Sequence, residues 1–418
     1  MRVINKFFNS NKITSIVYLI RIFDYFLKFS LIILLPFLFS FKIVGEINLF
    51  LSYTFLLSII LNLGFNTSSI KRISEGKFNK QKIFFYYIEC LFLIFLFSFL
   101  FFIFYFFINQ KFELYLTQNL LLLSCLFISS FSFTIILLTS SFLRALGNFY
   151  IAQIIIGILI YLPLNLILLI GFFNSNIITN INDFIYTFTI ILVITLIFSF
   201  LTLIFKIKNI NKKNNNFKSK INFNIYHYLD TILSQIFIWV PIIIFSIYVN
   251  SVDLGKLSTY YRLGIFLIGS LSIIDFLISR EISKNFSLKK FYKISKIFLK
   301  YKKIQRVILL FNSITLILCI LTINLIKKII EIDIHFFFFF IIIIISQCYG
   351  PLKAILLFTK YEKDIVIQKF LILIVILISS KIFFLLEMNS NYILNLISLI
   401  LLIDHTIMYF MVKKRLAF

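Results

Sequence analysis

The sequence has little charge and few of the residues that break chains into turns. Only 14% of its 418 residues are charged, with 16 acidic residues, four prolines, ten glycines and one tryptophan. A soluble domain is about one-quarter charged, so this composition excludes an ordinary globular protein. The four cysteines lie inside apolar runs without C-x-x-C spacing, which excludes a disulfide framework and a cysteine metal site. We expect no metal and no cofactor.

Long hydrophobic runs take the place of charge. The chain is 61% hydrophobic with a mean hydropathy of +1.04. About 20 apolar residues suffice to cross a bilayer as a helix. The sequence therefore predicts an all-α polytopic membrane protein of about 12 transmembrane helices, with the phenylalanine run 336–340 facing lipid. The predicted spans are 13–41, 49–70, 83–108, 119–143, 151–173, 184–205, 229–249, 257–279, 307–326, 336–358, 365–386 and 392–412.

Basic residues predict the orientation, because cytoplasmic loops are enriched in lysine and arginine. With the N-terminus inside, 31 of the 41 basic residues lie on the cytoplasmic side, five on the opposite side and five within spans. The alternation predicts an N-in, C-in protein of the bacterial inner (cytoplasmic) membrane. The net charge of +25 is thereby a topological signal, and nucleic acid is not an expected partner.

Two basic segments, 284–303 and 206–220, support further predictions. Segment 284–303 carries eight lysines and places Leu288, Phe291, Ile294 and Phe298 at helical spacing. It predicts an amphipathic helix on anionic membrane lipids, with a solvated linker as the alternative. The polar stretch 206–220 divides the chain into an N-terminal lobe (1–205) and a C-terminal lobe (221–418). Two six-helix lobes around a central cavity are an arrangement typical of transporters.

Ionisable residues within the spans are the candidate functional groups, because charge inside a membrane is costly. The cations Arg21, Lys28, Arg262, Lys353 and Lys381 are the candidate lining of a substrate cavity. The acids Asp24 and Asp404 are candidates for coupling to a proton or sodium ion. Asp24 and Lys28 are also spaced to form a purely structural ion pair, and Lys381 is close enough to a helix end to snorkel.

Three short motifs resemble those of a known family. LNLGFNTSSIKRISEG (61–76) resembles the "LGL…A..R…EG" segment of polysaccharide-export flippases in the multidrug/oligosaccharidyl-lipid/polysaccharide exporter superfamily. FLRALGN (142–148) is similar to the family's "LRA.G" connector. VDLG (252–255) followed by YYRL (260–263) is similar to its entry into helix eight.

The resemblance implies a twelve-helix, two-lobed flippase. Such proteins move undecaprenyl-pyrophosphate-linked oligosaccharide from the cytoplasmic to the periplasmic leaflet by alternating access. It also implies that Arg262 faces the cavity and that Arg21 and Asp24 form a charged first helix. Lipid-linked oligosaccharide is then the expected substrate, and other polysaccharide-assembly membrane proteins are possible partners.

Three alternatives stay open. One is a non-transporting scaffold, against which the charges within the spans argue. A drug/cation antiporter of the same superfamily would favour acidic cavity residues over cationic ones. A membrane-embedded polymerase or glycosyltransferase would need a large outside loop with catalytic residues. The predicted outside loops are short, and the chain has no nucleotide-binding motif. The sequence therefore favours a transporter over an enzyme.

Overall fold

The computed structural model describes residues 12–75, 80–109, 120–173, 180–208, 225–327, 334–359, 361–386 and 390–416. Within these ranges the regular structure is helical and contains no strand. The predicted linker 206–220 falls outside them beyond Lys208. The helices are α1 Lys12–Leu38, α2 Phe41–Leu61, α3 Phe65–Glu75, α4 Lys80–Asn109, α5 Leu120–Ala145, α6 Phe149–Gln153, a π-helical segment Ile154–Ile158, α7 Leu159–Phe173, α8 Ile181–Lys208, α9 Ile225–Tyr248, α10 Ser251–Ser287, α11 Phe291–Lys327, α12 Ile334–Gln347, α13 Leu352–Phe358, α14 Glu362–Leu385 and α15 Ser390–Leu416.

Eight helical stretches of the described chain are long and apolar enough to cross a membrane. They are Phe41–Leu61, Gln81–Ile103, Leu121–Ala145, Phe149–Phe173, Ile181–Lys208, Tyr228–Ile247, Lys363–Ile382 and Tyr392–Lys414. The prediction of an all-helical, multi-pass membrane protein is confirmed. The number twelve, the cavity and the orientation of the termini stay predictions.

Two predicted spans are wrong as single helices. The run 49–70 contains the end of α2 at Leu61 and the start of α3 at Phe65, with Gly64 at φ +73° between them. The run 336–358 is two helices, α12 and α13, separated at Gly350 and Pro351. Gly350 has φ +108°, which an L side chain rarely adopts, and an added Cβ would lie 2.9 Å from the ring of Phe298. Hydropathy does not reveal this break, because the residues on both sides of it are apolar.

The predicted loop 280–306 is also helical for most of its length. Helices α10 and α11 have 37 residues each and are joined by a turn in which Lys289 has φ +55°. Ile294 and Phe298 are buried within the protein, whereas Leu288 and Phe291 are exposed. The prediction that these four residues share one lipid-facing surface is therefore wrong. We call residues 280–306 the basic hairpin.

The first compact unit comprises the chain through Leu34 and Leu49–Ile232. Its helices are joined by hydroxyl and amide contacts within the apolar core, which is how membrane helices associate when lipid offers no hydrophobic drive. Ser129 and Thr189 are 2.9 Å apart, and Tyr87 and Thr139 are 2.8 Å apart. Phe55 and Phe133 pack edge to face beside them. This core fixes α5 against α8.

The second compact unit comprises Leu35–Asn48 and the chain from Leu233. Helix α12 packs against α15, and α10 packs against α11. The phenylalanine run 336–340 was predicted to face lipid, but Phe336, Phe339 and Phe340 are buried. Phe339 fits against Gly264 of α10, where a Cβ would lie 2.5 Å from the ring. The run supplies core packing as well as an exposed face.

Candidate functional site

The first unit holds a charged network built on α1. Arg21, Asp24 and Lys28 lie at i, i+3 and i+7, and the structure brings all three together as one system. Lys28 Nζ donates to Asp24 Oδ2 at 2.8 Å. The Asp24 side chain is 2% accessible, but that of Lys28 is 31% accessible. The Lys28 side chain is therefore partly accessible while its carboxylate partner is buried.

Gln153 extends this network to a second helix. Its Nε2 donates to Asp24 Oδ2 at 3.2 Å, and its Oε1 accepts from Arg21 Nε at 3.2 Å. The side chain of Gln153 thus bridges the acid and one of the two cations. The sequence reasoning did not identify Gln153, although a glutamine inside an otherwise apolar run is the signal that would have pointed to it.

Two tyrosines and an asparagine surround Lys28. The ammonium lies 5.1 Å from the ring centre of Tyr161 and 5.5 Å from that of Tyr25, which are cation–π distances. Asn165 donates to the backbone oxygens of Leu27 (2.8 Å) and Tyr161 (2.7 Å), fixing α7 against α1. These contacts hold Lys28 in one position.

Arg144 adds a third cation to this part of the first unit. It ends α5 in the FLRALGN segment, and its charge is close enough to Arg21 to act on it electrostatically. The network built on Asp24 therefore contains Arg21 and Lys28, and Arg144 lies in electrostatic range of Arg21. A network with more cations than acids is suited to an anionic ligand.

In the second unit, α2 and α9 position Arg262. Its side chain is buried, and Nη2 donates to the backbone oxygen of Asn48 at 3.4 Å. The guanidinium lies 5.6 Å from the ring centre of Trp239. Asn48 also donates to Ser258 at 2.7 Å, tying α2 to α10. The predicted site residue Arg262 is thus fixed by an aromatic ring and a backbone carbonyl.

Lys353 meets Lys369, which lies inside the predicted span 365–386 but was not among the predicted site residues. Lys353 Nζ donates to Ser234 Oγ at 2.8 Å, and Lys369 Nζ donates to the same oxygen at 2.6 Å. Lys369 lies two turns inside α14 and is buried. We call Ser234, Lys353 and Lys369 the lysine pair site.

Asp404 lies near this site. It is buried, and its Oδ1 accepts from Gln368 Nε2 at 2.6 Å. Its charge acts on Lys369, Lys353 and His405. Lys381 is separate, since it is exposed and lies twelve residues after Lys369 on α14, about 18 Å along the axis. Within the described residues, no group of three or more histidine, cysteine and acidic side chains could hold a metal.

Burial and a neighbouring charge also lower the pKa of Lys302, which lies outside the predicted spans. Lys302 of the basic hairpin lies 5.0 Å from the ring centre of Tyr409. Partial burial, followed by the nearby Arg306, lowers the pKa of Lys302 below its ordinary value. This lysine belongs to packing within the second unit and does not contact the lysine pair site's serine.

Solved structures show the fold to which these sites belong. A multidrug resistance MATE family transporter of the MOP superfamily, in an inward-facing conformation, is 12% identical with a TM-score of 0.67, and the match covers 94% of each chain. Its outward-facing counterpart is 13% identical with a TM-score of 0.66, over 97% of this chain and 94% of that one.

A third structure is a MOP superfamily transporter from Pyrococcus furiosus Vc1. It is 13% identical with a TM-score of 0.68, again over 97% and 94% of the two chains, and is described as having a binding pocket of reverse polarity that suggests a different function. No protein-family model and no curated protein match the sequence. At these identities the likeness establishes a MATE-like fold.

Proposed function

We propose that this chain is a flippase that moves undecaprenyl-pyrophosphate-linked oligosaccharide from the cytoplasmic to the periplasmic leaflet of a bacterial inner membrane. It would do so by alternating access, with twelve spans in two six-helix lobes and both termini inside. Asp24 or Asp404 would couple the movement to an ion. The MATE-like fold supports membrane transport, and structures of that fold exist in inward-facing and outward-facing conformations.

The observation that carries the proposal is the charge balance around Asp24. One buried carboxylate is accompanied by Arg21 and Lys28, with Arg144 in electrostatic range. The ammonium of Lys28 contacts the buried carboxylate at 2.8 Å, and the Lys28 side chain is 31% accessible. A pyrophosphate group would gain charge-assisted hydrogen bonds from such cations, whereas a cationic drug would be repelled.

A drug/cation antiporter is the second candidate, because two matched structures are multidrug resistance transporters. The reverse pocket polarity described for the Pyrococcus furiosus protein indicates that pocket charge can separate functions within this fold. By that criterion, the cations Arg21, Lys28 and Arg262 favour an anionic substrate here. The antiporter hypothesis depends on the acids Asp24 and Asp404.

Vesicles reconstituted with purified protein test the proposal. Fluorescently labelled lipid-linked oligosaccharide should become accessible to a membrane-impermeant quencher on the opposite face. Lys28→Met and Arg262→Met should each slow this movement at least about tenfold, because a desolvated charge contact is lost. Lys256→Met is the matched control, since Lys256 is half-buried on the same helix as Arg262 and lies beside Phe41.

The same vesicles distinguish the alternative. Uptake of an organic cation such as ethidium, driven by a proton gradient and abolished by Asp24→Asn, would support the antiporter. Unchanged oligosaccharide movement in both cation variants, with the protein present in the membrane, would contradict the flippase proposal.

A further inference from the structure

The lysine pair site brings together three helices of the second unit. Ser234 lies on α9, Lys353 at the start of α13, and Lys369 on α14. Both ammonium groups donate to one hydroxyl oxygen, at 2.8 and 2.6 Å. The two nitrogens are therefore only a few ångströms apart. This convergence depends on the break at Gly350 and Pro351, which starts α13 directly before Lys353.

Two adjacent ammonium groups repel one another, and the repulsion is stronger where burial lowers the local dielectric. Lys369 is only 5% exposed, so water screens it weakly. Asp404 offsets part of this charge through space, but its Oδ1 is held by Gln368 at 2.6 Å. The arrangement favours additional negative charge close to the two nitrogens.

The groups present are those that bind phosphate. Lysine ammonium and serine hydroxyl groups donate hydrogen bonds to phosphate oxygens, and lysine binds phosphate as a point charge. Ser234 and Lys353 are half-buried, whereas Lys369 is buried. An anion can therefore approach Ser234 and Lys353 from the accessible side. It would find Lys369 already in place.

We infer that Ser234, Lys353 and Lys369 form a binding site for a phosphate or pyrophosphate group. A phosphate oxygen would accept hydrogen bonds from both ammonium groups, as the Ser234 oxygen does. Gln368 would keep Asp404 from competing with the ligand. The inference rests on the proposed function only in identifying that group as the head of the transported lipid, since the same chemistry occurs in free pyrophosphate and in phospholipid.

The only tryptophan of the chain provides a local signal for this site. Trp239 follows Ser234 by five residues on α9, about 7.5 Å along the helix axis. Its indole nitrogen donates to Gln235, the neighbour of Ser234, at 3.2 Å. Binding at Ser234 should therefore change the fluorescence of Trp239.

The test titrates purified protein in detergent with inorganic pyrophosphate, using sodium chloride at matched ionic strength as the reference. We expect a saturable change in Trp239 emission in the wild type. Lys353→Met and Lys369→Met should each weaken pyrophosphate binding at least about tenfold, and Ser234→Ala several-fold. Lys363→Met is the matched control, because Lys363 is an exposed lysine on the same helix as Lys369.

A second measurement guards against variants that do not fold. Because a ligand that binds only the folded state stabilises it, pyrophosphate should raise the melting temperature of the wild type and of Lys363→Met. That increase should be smaller in Lys353→Met, which alters a half-buried residue. A signal equal to that of sodium chloride in the wild type, or unchanged affinity in both lysine variants, would overturn the inference.

Nanodiscs distinguish the sources of the phosphate group. Phosphatidylcholine discs with and without phosphatidic acid, each titrated with pyrophosphate, show whether a membrane lipid already occupies the site. Weaker pyrophosphate binding in the phosphatidic acid discs supports a lipid phosphate as a ligand, and equal binding supports a site selective for free or pyrophosphate-linked groups. Saturable binding without oligosaccharide movement would reject the proposed function and retain this site.

Discussion

Gly157 lies so close to Asp24 that a side chain at position 157 would collide with the Asp24 carboxylate. A Cβ added to Gly157 would lie 2.2 Å from Asp24 Oδ1 and 2.9 Å from the Asp24 Cβ. Gly157 belongs to the π-helical segment Ile154–Ile158, and such segments often mark functional sites. The irregular turn and the missing side chain together allow the carboxylate to be buried beside Gln153.

Replacing Gly157 with alanine should push the carboxylate out of its position. We expect Gly157→Ala to destabilise the protein by about 2 kcal/mol, the usual cost of overpacking, and to reduce transport. Gly171→Ala is the control on the following helix, because its Cβ would meet nothing within 4 Å. Thermal unfolding in detergent measures both, and equal stability of the two variants would contradict the close contact.

The ion pair of Asp24 and Lys28 should show as an energetic coupling. Asp24→Asn leaves an ammonium without its carboxylate, so we expect it to destabilise the protein more than Asp24→Asn/Lys28→Met does. Because Lys28 is partly accessible, the coupling should be about 1–2 kcal/mol, within the range for contacting residues. A double-mutant cycle of unfolding free energies measures it, and additive effects would show that the pair contributes nothing.

The charged residues of α1 show which contacts the sequence predicts and which it does not. The i, i+4 spacing predicted that Asp24 and Lys28 could pair, because both residues lie on one helix. Gln153 and Asn165 lie more than a hundred residues away in an apolar run, and only the packing of α6 and α7 against α1 brings them there. Local periodicity holds no information about which helices become neighbours.

The same limit applies to predicting how deeply a lysine is buried in the protein. Lys369 lies near the start of the predicted span 365–386 and was not among the predicted site residues. The helix begins at Glu362, so Lys369 is carried inside and meets Ser234. Hydropathy predicted most of the apolar runs, but it placed neither this charge nor the break at Gly350, because both depend on tertiary contacts.

That break provides a test in which strain and crowding can be separated. Gly350→Ala combines a positive φ with a Cβ 2.9 Å from Phe298, whereas Gly147→Ala has φ +85° with nothing within 4 Å. We expect Gly147→Ala to cost about 1 kcal/mol from backbone strain and Gly350→Ala roughly 1–3 kcal/mol more from overpacking. Thermal unfolding of the two variants measures the difference, and equal costs would exclude crowding at Gly350.

The basic hairpin should make the protein respond to lipid charge. Its accessible face carries four exposed lysines, Lys289, Lys290, Lys293 and Lys296. Each lysine near an anionic surface contributes about 1 kcal/mol of attraction. Replacing the four by glutamine should weaken the dependence of transport on phosphatidylglycerol in reconstituted vesicles. Unchanged dependence would assign these lysines to solvent alone, and Lys381→Gln serves as the single-site control.

Helices α10 and α11 also have a practical consequence. Each has 37 residues and is therefore about 55 Å long, whereas the hydrocarbon core of a bilayer is about 30 Å thick. The turn at Lys289 and Lys290 should thus lie outside the hydrocarbon core, where the basic hairpin meets the charged lipid surface and water. An antibody fragment or a fused soluble domain at that turn would give a 49.5 kDa membrane protein a fixed landmark for particle alignment in electron cryomicroscopy.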